Sequence, residues 1–491
     1  MFFAPLPQKF ILERMNRLLI SAAHKSSGKT TLSIGLCAAL AQRRLKVQSF
    51  KKGPDYIDPM WMSLASGRPC HNLDFFLMQN EEILATFAAH ARYTDIALIE
   101  GNKGLYDGLD LDGSNSNAAL AKLLAAPVIL VIDARGMTRG VAPLILGYQA
   151  FDRDIRIAGV ILNQLGGARH ESKLRAVIEH YTDVPVIGAV HHDDRLSIIE
   201  RHLGLMPSNE ASGARAKIDV IASAIANQVD LDKLMVIAAS APALSVPSGL
   251  VGALSHASPA SGRGDSDRIP IKVGIARDAA FAFYYPGDLD ALRQHGAELV
   301  YFDTLKDPHL PEVDALFIGG GFPEVHMQAL EANLSLRREI RQVIESGLPV
   351  YAECGGLMYL SRSLRWQGSQ CEMVGAIPGD TVMHDRPQGR GYVKLRETGK
   401  SPWPRAPDPT VEIRAHEFHY STLENIAGEL NYAYDVTRGT GIDGKHDGLL
   451  YRNVLACYTH MRDVGSNHWT ARFVDFARRQ RVVRRPAHAF S

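Results

Sequence analysis

Leu18-Leu19-Ile20-Ser21-Ala22-Ala23-His24-Lys25-Ser26-Ser27-Gly28-Lys29-Thr30-Thr31-Leu32 runs from an apolar strand, through a small-residue loop, into a helix that continues with Leu36 and Leu40. A strand, a Gly-Lys-Thr turn and a helix in that order build a phosphate cradle. Backbone N–H groups and the helix amino end face the phosphates, Lys29 reaches the β and γ oxygens, and Thr30 is placed to ligate Mg²⁺. Gly28 and Thr31 complete the loop. Ala23 stands where the usual pattern opens with glycine, and His24-Lys25 replaces small residues, so strand and helix context carry the assignment.

Outward from this loop, the apolar runs Leu18–Ala22, Ile96–Ile99, Val128–Ile132, Ile157–Leu162 and Val186–Val190 alternate with longer helix-like stretches up to about residue 235. That rhythm predicts βαβ units around a buried parallel sheet. Ala, Ser, Pro and Gly dominate 237–268, a composition too poor in apolar surface to pack, and a linker is expected there. Strand candidates resume at Lys272–Ala276, Leu299–Phe302, Ala315–Ile318 and Pro349–Ala352. The expectation is an α/β protein of two domains: a P-loop parallel-sheet domain over 1–236 and a second α/β domain over 269–491. A length of 491 residues agrees, since single cores stop growing at roughly 250–300 residues.

The composition narrows the function classes. Lys plus Arg number 54 against 53 Asp plus Glu, which leaves no global field to gather nucleic acid or an acidic membrane. Cys37, Cys70, Cys354, Cys371 and Cys457 have no CxxC spacing, which argues against disulfide or zinc frameworks and fits a reducing cytoplasm. Pro5, Pro7 and Lys9 interrupt the apolar start, and no apolar run approaches the roughly 20 residues that span a bilayer. A soluble cytoplasmic protein without nucleic-acid or membrane partners is expected.

Three further strand ends carry chemistry in the first domain. Lys51-Lys52-Gly53-Pro54-Asp55-Tyr56-Ile57-Asp58-Pro59 sets Asp55 and Asp58 three apart in a Gly/Pro-restricted loop that can hold acids against a metal or form an ordinary turn. Glu100 ends Ile96–Ile99 and opens Glu100-Gly101-Asn102-Lys103-Gly104-Leu105-Tyr106-Asp107-Gly108, at the carboxyl edge where α/β sheets bind ligands; it is a candidate Mg²⁺ ligand. Asp133 either caps a helix or faces the site, and Asn163 is placed to read an adenine base.

In the second domain Leu348-Pro349-Val350-Tyr351-Ala352-Glu353-Cys354-Gly355-Gly356-Leu357 reads as strand, sharp turn and helix, a nucleophile elbow with sulfur in place of a hydroxyl. Phe317-Ile318-Gly319-Gly320-Gly321-Phe322-Pro323 adds a glycine turn, so Gly320, Gly321 and Gly355 are the expected oxyanion donors. His460, about a hundred residues after Cys354, is the candidate base. His416 and His419 in His416-Glu417-Phe418-His419 lack a third metal ligand, so loop orientation or substrate contact is the expected role over zinc.

With both sites assembled, the chain resembles the cobyrinic acid a,c-diamide synthase family over nearly its whole length. The matching elements are Gly28–Thr31, Phe50–Pro59, Glu100–Gly108, Gly319–Glu324, Glu353–Leu360 and His416–Ser421. The resemblance implies a dethiobiotin-synthetase-like ATP domain joined to a class I glutaminase, and ATP- and glutamine-dependent amidation of the a- and c-carboxylates of cobyrinic acid through an acyl phosphate. By matching position it gives Lys29, Thr30, Lys51 and Glu100 to ATP and Mg²⁺, Asp55, Asp58 and Asp107 to the metal or acceptor carboxylate, Cys354 the role of nucleophile and His460 that of its base. L-glutamine and a tetrapyrrole polycarboxylate are the implied partners, with a homodimer left open. Many related glutaminases end their triad in His-x-Glu; Arg462 fills that third position here, and the acid that orients His460 is not identified. Alternatives are the same chemistry on siroheme, hydrogenobyrinic acid or nickel sirohydrochlorin, and a MinD-like ATPase switch or partner-binding module, which would not need the Cys354 elbow.

Overall fold

Seven strands of the amino-terminal half, five of them grown from the apolar runs, line up side by side as one parallel sheet. Its spatial order is His71–Leu73, Val47–Lys52, Ile96–Glu100, Arg17–Ala22, Val128–Asp133, Ile157–Leu165 and Val186–His191. Every residue of Arg17–Ala22, Val47–Lys52, Ile96–Glu100 and Val128–Asp133 is buried, as expected when helices cover both faces of a parallel sheet. The expected strands are therefore present, each extended by a residue or a few. Register aligns the carboxyl ends: Glu100 pairs with Ile20 on one side and with Lys51 on the other, and Asp133 pairs with Asn163. One edge of the sheet thus gathers the residues that the sequence marks for chemistry.

This computed structural model describes residues 10–201, 204–247, 270–406, 408 and 410–484. The chain divides into two compact units, Met1–Ser258 and Pro259–Ser491. The interval 237–268, expected as linker, begins with ordered structure. Ile237 and Ala238 are buried in the helix Leu231–Ala239, and Leu244–Pro247 pairs antiparallel with Phe10–Glu13. Alternate Leu244 and Val246 supply just enough apolar surface for a strand. The remainder, 248–268, lies outside the described residues.

The second unit is built on a nine-stranded mixed sheet. Ala297–Phe302, Ile271–Ala276, Ala315–Ile318, Val350–Glu353 and Val454–Cys457 run parallel; His446–Tyr451, Asn431–Arg438, Gly389–Glu397 and Ile413–His419 continue it antiparallel. One face packs Phe317, Tyr351, Trp403, Trp469 and Phe473 as an aromatic core, which anchors the terminal helix Trp469–Arg484. The other face buries Leu336, Ile340 and Ile344 of the helix Leu334–Glu345, with Leu357. Among the described residues no helix is long and apolar enough to cross a membrane.

Candidate active sites

At the carboxyl edge of the first sheet, Gly28 adopts φ +83°, the left-handed conformation that lets the chain turn into the helix Lys29–Gln42. A Cβ at Gly28 would stand 2.2 Å from Asn163 Nδ2, so a side chain there would displace the Asn163 amide. Asn163 Nδ2 donates to the Ser27 carbonyl at 2.9 Å; the side chain expected to read a base clamps the phosphate loop. Asp133 binds Arg135 through both carboxylate oxygens and accepts from its backbone N–H, rather than capping the helix Val141–Phe151. Thr30, Lys29, Arg135, Gln164 and His192 border a cavity of about 280 Å³ beside this loop.

Opposite the loop lies a compact charge cluster. Thr30 Oγ1 donates to Glu100 Oε1 at 2.8 Å and lies 3.2 Å from Asp58 Oδ2. Lys51 Nζ donates to Asp58 Oδ2 at 2.6 Å and to Glu100 Oε1 at 2.8 Å, and lies 3.9 Å from Asp55. Burial works against the Lys51 charge, but Asp58, Glu100 and Asp55 outweigh it and hold the amine well above its ordinary range. Burial and the neighbouring Asp58 push Asp55 up to about 7, while Asp58, burdened by the same burial, is held low by its ion pair with Lys51. Asp55 Oδ1 also accepts from the backbone N–H of Ile57 and Asp58, in the turn that leads into the helix Ile57–Ser66. Burial lowers Lys29 to about 8 despite the opposing pull of Glu100. Asp107 is exposed, and its Oδ2 accepts from Gly104 N at 2.9 Å. Asn117, which sequence reasoning passed over, pins this loop by donating to the carbonyls of Asn102 and Gly104.

The fit of a divalent cation can be tested on this cluster. Glu100 Oε2 is buried without a hydrogen-bond partner, and three carboxylates share Lys51 as their close cation. That is an excess of hard oxygen ligands and negative charge. Among the described residues no group of three His, Cys, Asp or Glu forms an all-protein cage. The combination suits Mg²⁺, which keeps waters and substrate phosphates among its ligands.

In the second unit the strand Val350–Glu353 ends at Cys354, whose φ of +47° and ψ of −100° mark the strained turn of a nucleophile elbow. A Cβ at Gly356 would meet the Ile318 carbonyl oxygen at 2.1 Å, so the helix Gly355–Leu360 can leave the turn only with glycine there. The glycine turn lies alongside: a Cβ at Gly355 would be 3.0 Å from Gly321 N, and one at Gly320 would be 2.6 Å from His460 Cε1. Cys354 is 7% exposed and His460 3%, so both are shielded from bulk water. Burial works against the imidazolium, yet hydrogen bonds with Cys354 and Glu353 raise His460 to about 10. Glu353, absent from the candidates named from sequence, sits 3.3 Å from His460 Nδ1 through Oε2. Its proximity depends on strand register, which pairs Glu353 with Cys457, three residues before His460.

His416 and His419 separate. They are three apart on the strand Ile413–His419, so they project from opposite faces and do not share an ion. His416 exchanges backbone hydrogen bonds with His460, and burial with the nearby His460 lowers its imidazole to about 3. His419 stacks on Tyr458 and pairs with the Ser421 carbonyl. Arg462 places its guanidinium 4.7 Å over the Tyr285 ring.

Comparison with known proteins agrees with this layout. Residues 19–205 match the CobQ/CobB/MinD/ParA nucleotide binding domain, and residues 272–466 match the CobB/CobQ-like glutamine amidotransferase domain. The fold and sites define a glutamine-hydrolysing amide ligase that carries its own nucleotide-binding domain. The chain is 47% identical over 473 residues to a cobyrinate a,c-diamide synthase of Magnetococcus marinus, covering 96% of this chain and 99% of that protein. It is 42% identical over 499 residues to the Methanosarcina acetivorans enzyme of the same name, covering 96% and 97%, and 41% identical over 466 residues to that of Archaeoglobus fulgidus, covering 95% and 98%. The chain belongs to the cobyrinate a,c-diamide synthase family.

Proposed function

We propose that this chain amidates the a- and c-side-chain carboxylates of cobyrinate, with ATP activating each acid and glutamine supplying the nitrogen. The observation that carries the reading is the apposition of His460 to the Cys354 elbow, in a chain that also bears the phosphate loop and the cluster of Thr30, Lys51, Asp58 and Glu100. The relatives' shared name supplies the acceptor.

In the first unit Lys29 binds the β and γ phosphates, and Thr30, Asp55 and Glu100 would hold Mg²⁺, with Asp58 and Asp107 nearby to position the metal or the acceptor. The cation, when bound, supplies charge neutralisation on the transferring phosphoryl group. Phosphoryl transfer converts the acceptor carboxylate to an acyl phosphate and ATP to ADP. Ammonia then attacks the acyl carbon, and the bond to phosphate breaks. In the second unit His460 takes the thiol proton as Cys354 Sγ attacks the glutamine side-chain carbonyl, and returns a proton to the leaving nitrogen as the C–N bond breaks. Backbone N–H groups of Gly320, Gly321 and Gly355 are the proposed donors to the oxyanion. Water finally releases glutamate from the thioester.

Cys354→Ser tests the division of labour. Glutamine-supported amidation should fall to background while ammonium-supported amidation persists; equal loss with both nitrogen sources would overturn it. Lys29→Ala and Glu100→Ala should lose synthesis with either source, and near-parent rates in both would remove the assigned ATP site.

A further inference from the structure

A histidine base in a buried site needs a fixed ring and tautomer, and the position two residues after His460 cannot supply the acid, because it is Arg462, lying over Tyr285. We propose that Glu353, the residue immediately before the nucleophile, is the positioning acid of the glutaminase site. Its Oε2 lies 3.3 Å from His460 Nδ1 and accepts that ring N–H, which leaves Nε2 for the Cys354 thiol. The inference rests on the assignment of Cys354 and His460 above and adds the group that orients them.

Glu353 is itself held rigidly. It is 2% exposed; its Oε1 accepts from Tyr351 Oη at 2.5 Å and from the Met461 backbone N–H at 3.0 Å. Tyr351 is fully buried against Phe317 and Trp469, so the carboxylate is fixed by core packing and by the chain segment that carries the histidine. One strand end therefore delivers the nucleophile and the acid as sequence neighbours. The parallel pairing of Val350–Glu353 with Val454–Cys457 delivers the base beside them. The ionisable groups facing the imidazole are Cys354 and Glu353 from the elbow and His416 from the strand Ile413–His419; burial keeps His416 neutral. Glu353 is thus the acid that balances the imidazolium when the thiol proton moves to Nε2. Its carboxylate gives up no proton and touches no substrate atom.

The experiment compares Glu353→Gln, Glu353→Asp and Tyr351→Phe with the parent and with Cys354→Ser. Each is assayed for synthesis with glutamine, for synthesis with ammonium, and for alkylation of Cys354 by iodoacetamide as a function of pH. Glu353→Gln should lower glutamine-dependent turnover by up to about ten-thousandfold, as neutralising the orienting acid does in a hydrolase triad. It should leave ammonium-supported synthesis intact and move the acid limb of the alkylation profile to higher pH, because the imidazolium that stabilises the thiolate has lost its partner. Glu353→Asp should recover part of the loss, and Tyr351→Phe, which removes one donor but keeps the carboxylate, should lose less than Glu353→Gln. A glutamine-dependent rate close to the parent overturns the proposal. So does an unshifted alkylation profile beside a reduced rate, or equal loss with both nitrogen sources, since each marks a merely structural role. Retention of glutamine turnover by Cys354→Ser would instead overturn the nucleophile assignment itself, whatever the Glu353 variants do.

Discussion

Lys29 shows how much a residue's role owes to its surroundings. A solvated lysine keeps its charge beyond pH 10, but burial lowers this one to about 8 and Glu100 only partly restores it. Because the folded value is depressed, free Lys29 has lost its proton above that pH, whereas a bound polyphosphate favours the charged form and takes the proton back up. We predict that nucleotide binding at about pH 8.5 consumes protons and weakens as pH rises further, whereas at about pH 6.5 it is proton-neutral with respect to this group. Calorimetry in buffers of different ionisation enthalpy measures the uptake; a buffer-independent enthalpy at the higher pH would sink the prediction. Lys29, Thr30, Cys354 and His460 stood out as candidates because their backbone context is local: strand, turn and helix within a dozen residues, or a histidine after an apolar run. Glu353 stood in plain sight beside Cys354, yet its contact with His460 spans 107 positions and exists only through strand pairing. The hydrogen bond from Asn163 to the Ser27 carbonyl was not legible, since only the fold sets the two side by side.

Parallel strands were readable because both faces are buried, which turns them into continuous apolar runs. The strands between Gly389 and Tyr451 that extend the second sheet antiparallel were not proposed, and the reason is physical. Gly389–Glu397 and Asn431–Arg438 mix buried, half-buried and exposed residues without a clean two-residue period, and a register shift at Lys394/Leu395 disrupts their pairing further. Arg17 shows a different blind spot. It reads as a charged residue opening a strand, but it is fully buried, and its guanidinium donates to the carbonyls of Leu124, Met15, Ala125 and Pro242. It thereby ties the strand Arg17–Ala22 to the end of the helix Asn117–Leu123 and to the segment after Leu231–Ala239. Replacing it by methionine keeps the volume and strands those carbonyls without donors. Arg17→Met should lower the unfolding free energy of this unit by about 3 kcal/mol or more, given roughly 1–3 kcal/mol for each buried group left unsatisfied. Urea denaturation of the variant against the parent checks it, and a loss below about 1 kcal/mol would mean that water or a shifted backbone satisfies the carbonyls.

At the scale of the molecule, a two-domain α/β chain followed from length and from two separate strand series, while the fine boundary did not, since Leu231–Ala239 and Leu244–Pro247 build ordered structure from the same small residues that suggested a linker. No motif of the sequence reads out the acceptor either. A polycarboxylate macrocycle meets a chain whose formal net charge is only +1, so long-range attraction contributes little and local groups must do the selecting. Buried Lys52 at the end of the strand Val47–Lys52, lowered to about 8 mainly by burial, and exposed Lys103 lie on the two segments that carry Asp55, Asp58 and Asp107, and we propose that they offset acceptor carboxylates that do not react. The deciding experiment supplies glutamine, ATP and Mg²⁺ with cobyrinate, hydrogenobyrinate, sirohydrochlorin or siroheme, and counts the amides formed by mass spectrometry. We predict a monoamide followed by a diamide on the cobyrinate-type ring, and substantially slower conversion of the others. Stepwise appearance would mean that the half-finished product leaves, or turns over within the site, before its second carboxylate reaches the phosphoryl donor. Amidation confined to siroheme would overturn the acceptor while leaving the acyl-phosphate chemistry in place; no amidation of any of the four, in protein that still hydrolyses glutamine, would separate the glutaminase from the proposed synthesis altogether.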